Sequence, residues 1–447
     1  MIWSVLAIFL VPLVLAVPLD TVGGNTTRWA VLLSGSRGFT DYAMQADICH
    51  AYQIFHRHGI PDSNIIVMMY DDLADNRMNP KKGVVINKPN GPNLYPGVLK
   101  DYTRGEVKPE NFLNVLTGDS ELMKGVGSGK VLRSGPNDHV FVYFSGHGST
   151  GSIKFPYHML YVDQLLVALK RMHHKKMYKK LVFYMDACHS GSMFANILPE
   201  DINLFATTSA DPNNYAYSTY CDIPGMFVCL AGEFGSAWME DVDYEDHVKP
   251  GLRTETLEKQ FTKISKTMKK SRPCEYGDLS LGFDHVTDFL GGINNTGYLD
   301  DYTPRVNSKA SISQRDVALA MLNRRIDEAL NIEVKMKLER KRLDLISGRD
   351  DIDNLFSRIV TNASRSVDDQ KVIESTHQPL NLEMMPCYRT LVDNFSESCV
   401  NIHENLYTLA HLHKLANLCV LHYSATDILQ VFSRECTDHY RGLVNVN

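Results

Sequence analysis

Residues 181–193, LVFYMDACHSGSM, form the stretch that decides how this sequence is expected to fold. They open with an apolar run, 181–185, whose length and composition are typical of a buried strand. Small residues follow Asp186 and Cys188, and they permit a tight turn directly after the strand. Because α/β sheets bind ligands beyond the carboxyl ends of their parallel strands, we expect Cys188 at the functional edge of such a sheet.

A second apolar run, residues 139–144 (HVFVYF), ends three residues before His147. If the two runs are neighbouring strands, they bring the His147 imidazole next to the Cys188 thiol. This pair is the minimum for a cysteine nucleophile with its base. The alternative is that the two residues are unrelated, one a buried core thiol and the other a solvated histidine.

Further strand and helix patterns alternate along the first two thirds of the chain. The strand patterns lie at 29–33, 65–69 and 203–208, and the helical patterns lie at 41–58, 163–172 and 254–270. Such alternation predicts an α/β fold with a mostly parallel sheet that is flanked by helices on both faces. From residue 318 the sequence becomes charged and helical, which predicts a separate all-α domain.

The chain is expected to divide into four parts. These are a signal peptide at 1–16, an α/β domain at 17–284, a linker at 285–312 and a helical domain at 313–447. Residues 1–16 are apolar and uncharged but too short to span a bilayer comfortably, so we favour a cleaved signal over a membrane anchor. We therefore expect a secretory-pathway protein with no stable membrane insertion.

The composition excludes some classes of function. Among 447 residues the formal net charge is −6, without the basic excess that nucleic-acid binding needs. No cofactor or metal site is expected from the motifs. Glycosylation sequons begin at Asn25, Asn294, Asn362 and Asn394.

Nine cysteines leave at least one thiol unpaired in an oxidising compartment. Four cluster near the C-terminus and are expected to form two bridges, with the pairing left open: Cys387, Cys399, Cys419 and Cys436. Cys221 and Cys229 are close enough in sequence to close a small loop. This leaves Cys49, Cys188 and Cys274 as the free thiols.

Several longer stretches resemble the legumain family of asparaginyl endopeptidases, which are caspase-like cysteine proteases. They include QADICHAYQIFHRHGIP at 45–61, VMMYDD at 67–72, GHGSTG at 146–151, DACHSGSM at 186–193, AWMED at 237–241 and CYRTLVDNF at 387–395. The resemblance covers nearly the whole chain after the first segment. It implies a caspase-like sheet and a zymogen whose helical pro-domain covers the cleft until it is removed at acidic pH. It also implies protein and peptide substrates, and residence in a lysosome or endosome, or secretion.

The resemblance also implies catalytic roles for individual residues. Cys188 would be the nucleophile and His147 the general base, while the backbone amides of Gly148 and Cys188 would form the oxyanion hole. The family carries an Asn that contacts the catalytic histidine, and this chain has Asp41 at that position. A carboxylate can also orient an imidazole, and it stabilises the charged form of the ring.

The chain departs from the family pattern in the pocket that reads the asparagine of the substrate. The family uses an Arg, a His, a Glu, a Ser and an Asp, and the matching positions here are Ala43, Met44, Asp186, Ala216 and Gly232. A pocket without those polar groups loses the discrimination that they provide. We therefore expect an endopeptidase with a weakened or altered preference for asparagine. The alternatives are an ordinary asparaginyl endopeptidase that tolerates these changes and a catalytically weak pseudoprotease acting as a binding or inhibitory protein.

Overall fold

The computed structural model describes residues 26–247, 251–292, 311–375 and 378–447. The predicted signal peptide, the sequons at Asn25 and Asn294, and most of the predicted linker lie outside these residues. No helix in the described ranges is long and apolar enough to cross a membrane.

The strands of the described residues are short except at the centre of the main sheet. They are β1 (Arg28–Ser34), β2 (Ile65–Met68), β3 (His139–Ser145), β4 (Gly148–Ser149), β5 (Ser152–Lys154), β6 (Met159–Tyr161), β7 (Lys180–Asp186), β8 (Leu204–Thr208), β9 (Tyr217–Thr219), β10 (Ala231–Gly232), β11 (Cys274–Gly277) and β12 (Ile312–Ser313).

The helices fall into two groups along the chain. Those that precede β12 are α1 (Tyr42–Arg57), α2 (Pro109–Leu116), α3 (Val162–His174), α4 (Glu233–Glu245), α5 (Leu257–Thr267) and α6 (Val286–Leu290). Those that follow are α7 (Val317–Asp327), α8 (Ile332–Ala363), α9 (Val367–Ser375), α10 (Met385–Ser398), α11 (Leu412–Val420), α12 (Ala425–Glu435) and α13 (Asp438–Arg441).

A six-stranded sheet in the order β11-β8-β7-β3-β1-β2 forms the centre of the first domain. All neighbours pair in parallel except β11, which runs antiparallel to β8 at the edge. Side chains alternate between the two faces, as the pleat requires. On one face Ala30 and Leu32 pack with α1 and α4, while on the other Val31 and Leu33 pack with α2 and α3. The predicted α/β fold with a mostly parallel sheet is confirmed.

The helices after β12 pack on one another, and their buried residues continue the hydrophobic core of the sheet face that α2 and α3 cover. The all-α character predicted for this part of the chain is also confirmed. Phe356 of α8, Phe395 of α10 and Phe432 of α12 are all buried there. The Phe395 ring contacts the rings of both Phe356 and Phe432. Two disulfides, Cys387–Cys419 and Cys399–Cys436, join α10 to the ends of α11 and α12.

The remaining cysteines also match the expectation. Cys221 and Cys229 form a third disulfide, and the thiols of Cys49, Cys188 and Cys274 are free.

Several small elements were not predicted from the sequence. The three-stranded sheets β4-β5-β6 and β10-β9-β12 consist of strands of two or three residues, too short for an alternating apolar pattern. The predicted linker at 285–312 begins with α6, whose Phe289 is fully buried and stacks on His139 of β3. The first residues of that segment therefore pack as part of the α/β layer, while the domain boundaries themselves stay a prediction.

Candidate active site

Cys188 and His147 lie at the carboxyl edge of two neighbouring strands. β3 and β7 pair along their whole length, with Ser145 opposite Asp186 at the last register position. Each candidate residue follows two positions later, and both side chains are buried. The structure therefore confirms that the two strands are neighbours, as their apolar runs predicted.

The His147 side chain faces a carboxylate. Its Nε2 lies 3.1 Å from Oδ2 of Asp41, an ion-pair distance, and the two side chains are 3% and 12% exposed. The contact lacks the angle of a hydrogen bond, so the ring nitrogens have no partner with hydrogen-bond geometry among the described residues. Asp41 ends a single 3-10 turn immediately before α1, and this turn carries the carboxylate to the imidazole.

Gly148 brings its backbone unusually close to the cysteine. A Cβ built at this position would lie 2.5 Å from the backbone oxygen of Cys188 and 3.0 Å from the Cβ of Ala187. No side chain fits that space, so only glycine allows β4 to approach the turn after β7. Two backbone amides, those of Gly148 and Cys188, thus belong to segments in direct contact.

A buried acidic pocket lies beside Cys188. Asp186 accepts a hydrogen bond from the backbone N–H of Gly235 at 3.2 Å. Asp47 of α1 accepts from the backbone N–H of Gly232 and from the hydroxyl of Ser145, both at 3.1 Å. A Cβ at Gly232 would collide with the Asp186 carboxylate, so glycine is needed for the two acids to approach the same backbone.

Burial sets the protonation of these groups. It raises the pKa of Asp186 to about 7. Burial, followed by the charge of Asp186, raises the pKa of Asp47 well above its ordinary value. At acidic pH both carboxyl groups are therefore neutral and can donate as well as accept hydrogen bonds. Burial also raises the pKa of the Cys188 thiol, opposed by the positive charge of Arg315, so the thiol is protonated in this form.

Ala43 and Met44 occupy the first turn of α1, and both are buried. The Met44 sulfur accepts a hydrogen bond from the Ser36 hydroxyl at 2.7 Å, and Ala43 offers only a methyl group. Neither residue supplies a charge. The Glu233 carboxylate, next to Gly232, accepts from the backbone N–H groups of Lys269 and Ser271 and from the Ser311 hydroxyl.

A segment from beyond the α/β layer lies across the cysteine as an added strand. Strand β12 pairs antiparallel with β9, with Ile312 opposite Ser218 and Ser313 opposite Tyr217. The next residue, Gln314, continues the pairing, because its backbone N–H donates to the Ala216 carbonyl at 3.1 Å. Residues 312–316, which we name the strap, therefore cross the site as a short strand that ends in a turn, in which the Asp316 backbone N–H donates to the Ser313 carbonyl at 2.8 Å.

The Gln314 side chain enters the pocket. Its Oε1 lies 3.7 Å from Sγ of Cys188, and its Nε2 donates to Oδ1 of Asp186 at 3.5 Å. The Cys188 thiol also lies 3.9 Å from the Ala216 carbonyl. Of the five predicted pocket positions, Asp186 contacts this side chain, Ala216 accepts from the Gln314 backbone, and Gly232 lies against the Asp186 carboxylate.

The following residues hold the strap to the helical region. The Arg315 guanidinium donates to the Gly148 carbonyl and, at 3.5 Å, to the carbonyl of Leu406. Arg349 of α8 donates to the Arg315 carbonyl at 2.9 Å and to the Asp316 carboxylate at 2.8 Å. The helical region thereby anchors the strap over Cys188.

Other contacts extend the same interface. Arg37 pairs with Glu404 at 2.6 Å, and the Tyr161 hydroxyl donates to Asp393 at 2.6 Å. Lys154 of β5 is buried there, and the His403 ring lies close to it. The helical region thus covers the edge of the sheet on which Cys188 lies.

Sequence reasoning did not identify Asp47, Gln314, Arg315 or Arg349 as site residues. The strap reads ISQRD in the sequence, with one apolar residue, which is too little for a strand pattern. Arg349 is one of many charges on α8. Its distinguishing feature is that it is buried, and burial of a single charge is not visible in the sequence.

Two family profiles match separate parts of the chain. The profile of the Peptidase C13 family matches residues 28–292, and the profile of the legumain prodomain matches residues 340–436. The chain is 41% identical to the legumain of Bos taurus over 427 residues, covering 95% of this chain and 96% of that protein. It is 39% identical to the legumain of Homo sapiens over 443 residues, covering 98% and 100% of the two chains.

Two further similarities extend the comparison. A vacuolar-processing enzyme of Citrus sinensis is 38% identical over 419 residues, covering 90% of this chain and 82% of that protein. Among solved structures, caspase-1 of Spodoptera frugiperda superimposes with a TM-score of 0.33 at 11% identity, covering 57% of this chain and 88% of that chain.

Proposed function

Because the chain belongs to the legumain family of cysteine peptidases, Peptidase C13, we propose that Cys188 is the nucleophile and His147 the base of its endopeptidase activity. The observation that carries this proposal is the strap. An extended segment pairs with β9 as a peptide substrate would, and it lies against the Cys188 thiol. The chain thus holds a peptide of its own in the position where a protease must bind one.

The proposed reaction proceeds in two steps. The Cys188 thiol transfers its proton to His147, and the thiolate attacks the carbonyl carbon of the residue in the pocket, the P1 residue. A C–S bond forms, the C–N bond of the peptide breaks, and the leaving amine takes the proton from His147. Water then attacks the thioester and gives a proton to His147, after which the carboxylic acid leaves and Cys188 regains its thiol.

Gly148 and Asp41 have supporting roles in this proposal. The backbone amides of Gly148 and Cys188 donate to the oxyanion that forms during each attack, and the tight contact between their segments supports this role. Asp41 orients His147, because its carboxylate lies 3.1 Å from the imidazole.

We infer that the preference for asparagine at P1 is altered. Ala43, Met44, Ala216 and Gly232 offer no charged or hydroxyl side chain to the pocket, and Asp186 is the polar group that contacts the side chain lying there. A pocket rejects wrong ligands by leaving its own polar groups unpaired, and this pocket has few such groups.

The strap and the helical region support synthesis as a zymogen. In this form Cys188 is fully buried, so a substrate reaches it only after the strap leaves. The name of the similar vacuolar-processing enzyme agrees with our proposal that the chain acts in an acidic compartment of the secretory pathway. We propose that removal of the strap and helical region at acidic pH exposes the site.

The direct test is to label the nucleophile. The full chain is activated at acidic pH, treated with a peptide that carries a thiol-directed electrophile, and mapped by mass spectrometry. We expect the adduct on Cys188, together with cleavage of a mixed peptide library.

The same experiment decides the alternative. Labelling confined to Cys49 or Cys274, with no cleavage of the library, would reject the proposal and leave a pseudoprotease that binds peptides. Cleavage only after asparagine would retain the peptidase but reject the altered preference.

A further inference from the structure

We propose that the P1 residue preferred by this pocket is glutamine, a neutral amide one methylene longer than asparagine. This inference rests on the proposed function, because it assigns the substrate class of the same site. The chain itself provides the evidence, since the strap places a glutamine side chain in the pocket.

The backbone register identifies Gln314 as the P1 mimic. Its N–H donates to the Ala216 carbonyl, and the two residues before it pair with β9. Its side chain is the one that contacts both Cys188 and Asp186. The preceding residues therefore occupy the P2 and P3 positions, and Ser311, whose hydroxyl donates to Glu233 at 3.3 Å, occupies P4.

The length of the side chain decides between glutamine and asparagine. The Gln314 amide already lies 3.5 Å from Oδ1 of Asp186, the outer limit of a hydrogen bond. An asparagine on the same backbone path would end one C–C bond sooner, about 1.5 Å farther away. An aspartate at position 186 thus needs a longer partner, and glutamine supplies the missing length.

The chemistry of the pocket decides between an amide and a charge. The hydrogen bonds that reach Asp186 and Asp47 from described residues come from N–H and O–H groups of neutral residues. A P1 glutamate would bring a third carboxyl group next to these two. A P1 lysine would need an ionised partner, and the raised pKa of Asp186, about 7, keeps that group neutral at acidic pH. A neutral amide, which both donates and accepts, fits neutral carboxyl groups.

The test uses fluorogenic peptides Ser-Ile-Ser-Xaa, which copy residues 311–313 and vary only at P1. The acid-activated chain is assayed at pH 5 with Xaa as glutamine, asparagine, lysine, glutamate or alanine. We expect kcat/KM for glutamine to exceed that for asparagine about tenfold or more, the discrimination that one methylene and one hydrogen bond supply. A ratio of one or less would overturn the inference.

A reciprocal variant tests the length argument. Asp186→Glu moves the carboxyl group about 1.5 Å into the pocket, and we expect it to lower the glutamine-to-asparagine ratio at least tenfold. Asp201→Glu, an exposed acid in the turn before β8, is the matched control and should leave the ratio unchanged. An unchanged ratio in a folded Asp186→Glu protein would overturn the assignment of Asp186. If that variant does not fold, the wild-type ratio alone decides.

Failure of the inference differs from failure of the proposed function. Cleavage of the series with a flat or asparagine-directed profile rejects glutamine but retains the peptidase. No cleavage of any peptide, with no adduct on Cys188, rejects both.

Discussion

The two sides of Cys188 differ in what they are made of. On one side lie an imidazole, a carboxylate and a glycine, namely His147, Asp41 and Gly148, in contact with one another or with the cysteine segment. On the other side lies a pocket in which Asp186 accepts from the amide of Gln314, and no basic side chain of the described residues hydrogen-bonds to its acids. Both sides use the same sheet edge, because the strands and the turns after them supply the two sets of residues.

Under the proposed function, bond-breaking and recognition therefore depend on separate groups and can change separately. In the proposed reaction, the groups on the first side act on the peptide backbone, which every substrate shares. The groups on the second side meet only the P1 side chain, so substitution there changes which peptides bind without removing the nucleophile. Four sets of variants test this separation, beginning with the one that should lose most activity.

Removal of the proposed nucleophile should abolish the peptidase activity. We expect Cys188→Ala to lower kcat/KM by about 10³-fold or more for every peptide, as loss of a covalent nucleophile does. Circular dichroism should show an intact fold. Cys49→Ala, which removes another buried thiol, is the control and should retain activity. Comparable activity in Cys188→Ala would show that the catalytic residue lies elsewhere.

Removal of the carboxylate next to His147 should act on kcat alone. We expect Asp41→Ala to lower kcat by about 10²-fold, because the imidazole loses the group that orients it. KM should change little, and the glutamine-to-asparagine ratio should be preserved. Asp41→Asn, which can still orient the ring, should restore most of kcat. Equal losses in both variants would exclude an orienting role.

Release of the strap should expose both sides together. Arg349→Leu removes three hydrogen bonds of a buried guanidinium, one to the Asn447 carbonyl and two to the strap, and each bond to the strap contributes about 1.5–3 kcal/mol. Since 1.4 kcal/mol corresponds to tenfold in an equilibrium, we expect Cys188 of the full-length zymogen to be labelled by a small thiol reagent about tenfold faster or more. Arg340→Leu, an exposed arginine on the same helix, should label like the wild type. Equal labelling of Arg349→Leu and wild type would contradict the anchoring role.

Acid should weaken the cover through His403. Burial, followed by the charges of Lys154, His158 and Arg37, lowers the pKa of His403 to about 3, and Glu404 is the acid paired to Arg37. The covered state therefore binds fewer protons than a freed histidine, whose pKa is about 6.5. Burial of neutral His403 therefore contributes fully to docking of the helical region above about pH 6.5. This contribution is lost as the pH falls toward 3.

His403→Phe removes that proton while keeping a ring of similar size. In the wild-type zymogen, the rate at which Cys188 is labelled should increase as the pH falls from 7 to 5. We expect this increase to be a few fold smaller in His403→Phe. His439→Phe, an exposed histidine of α13, is the control and should keep the wild-type slope. Identical slopes in all three proteins would exclude His403 as a proton sensor.

Long apolar runs made much of this fold predictable. The runs that became β3 and β7 are buried throughout, so their composition alone indicates parallel central strands. The positions of His147 and Cys188 after those strands followed from the same reasoning. The pairs of cysteines near the C-terminus could be expected, but which cysteine joins which could not, because spacing does not determine connectivity.

The sequence alone therefore predicted the layers of the molecule and the edge at which the cysteine lies, while the changed pocket inferred from the family resemblance stays a prediction. Only the tertiary structure decided that residues 312–316 cross this edge, that Gln314 reaches Asp186 and that Arg349 holds the strap. The physical reason is range. Strand and helix patterns arise from neighbouring residues, whereas the strap depends on contacts between residues more than a hundred positions apart, which no local pattern encodes.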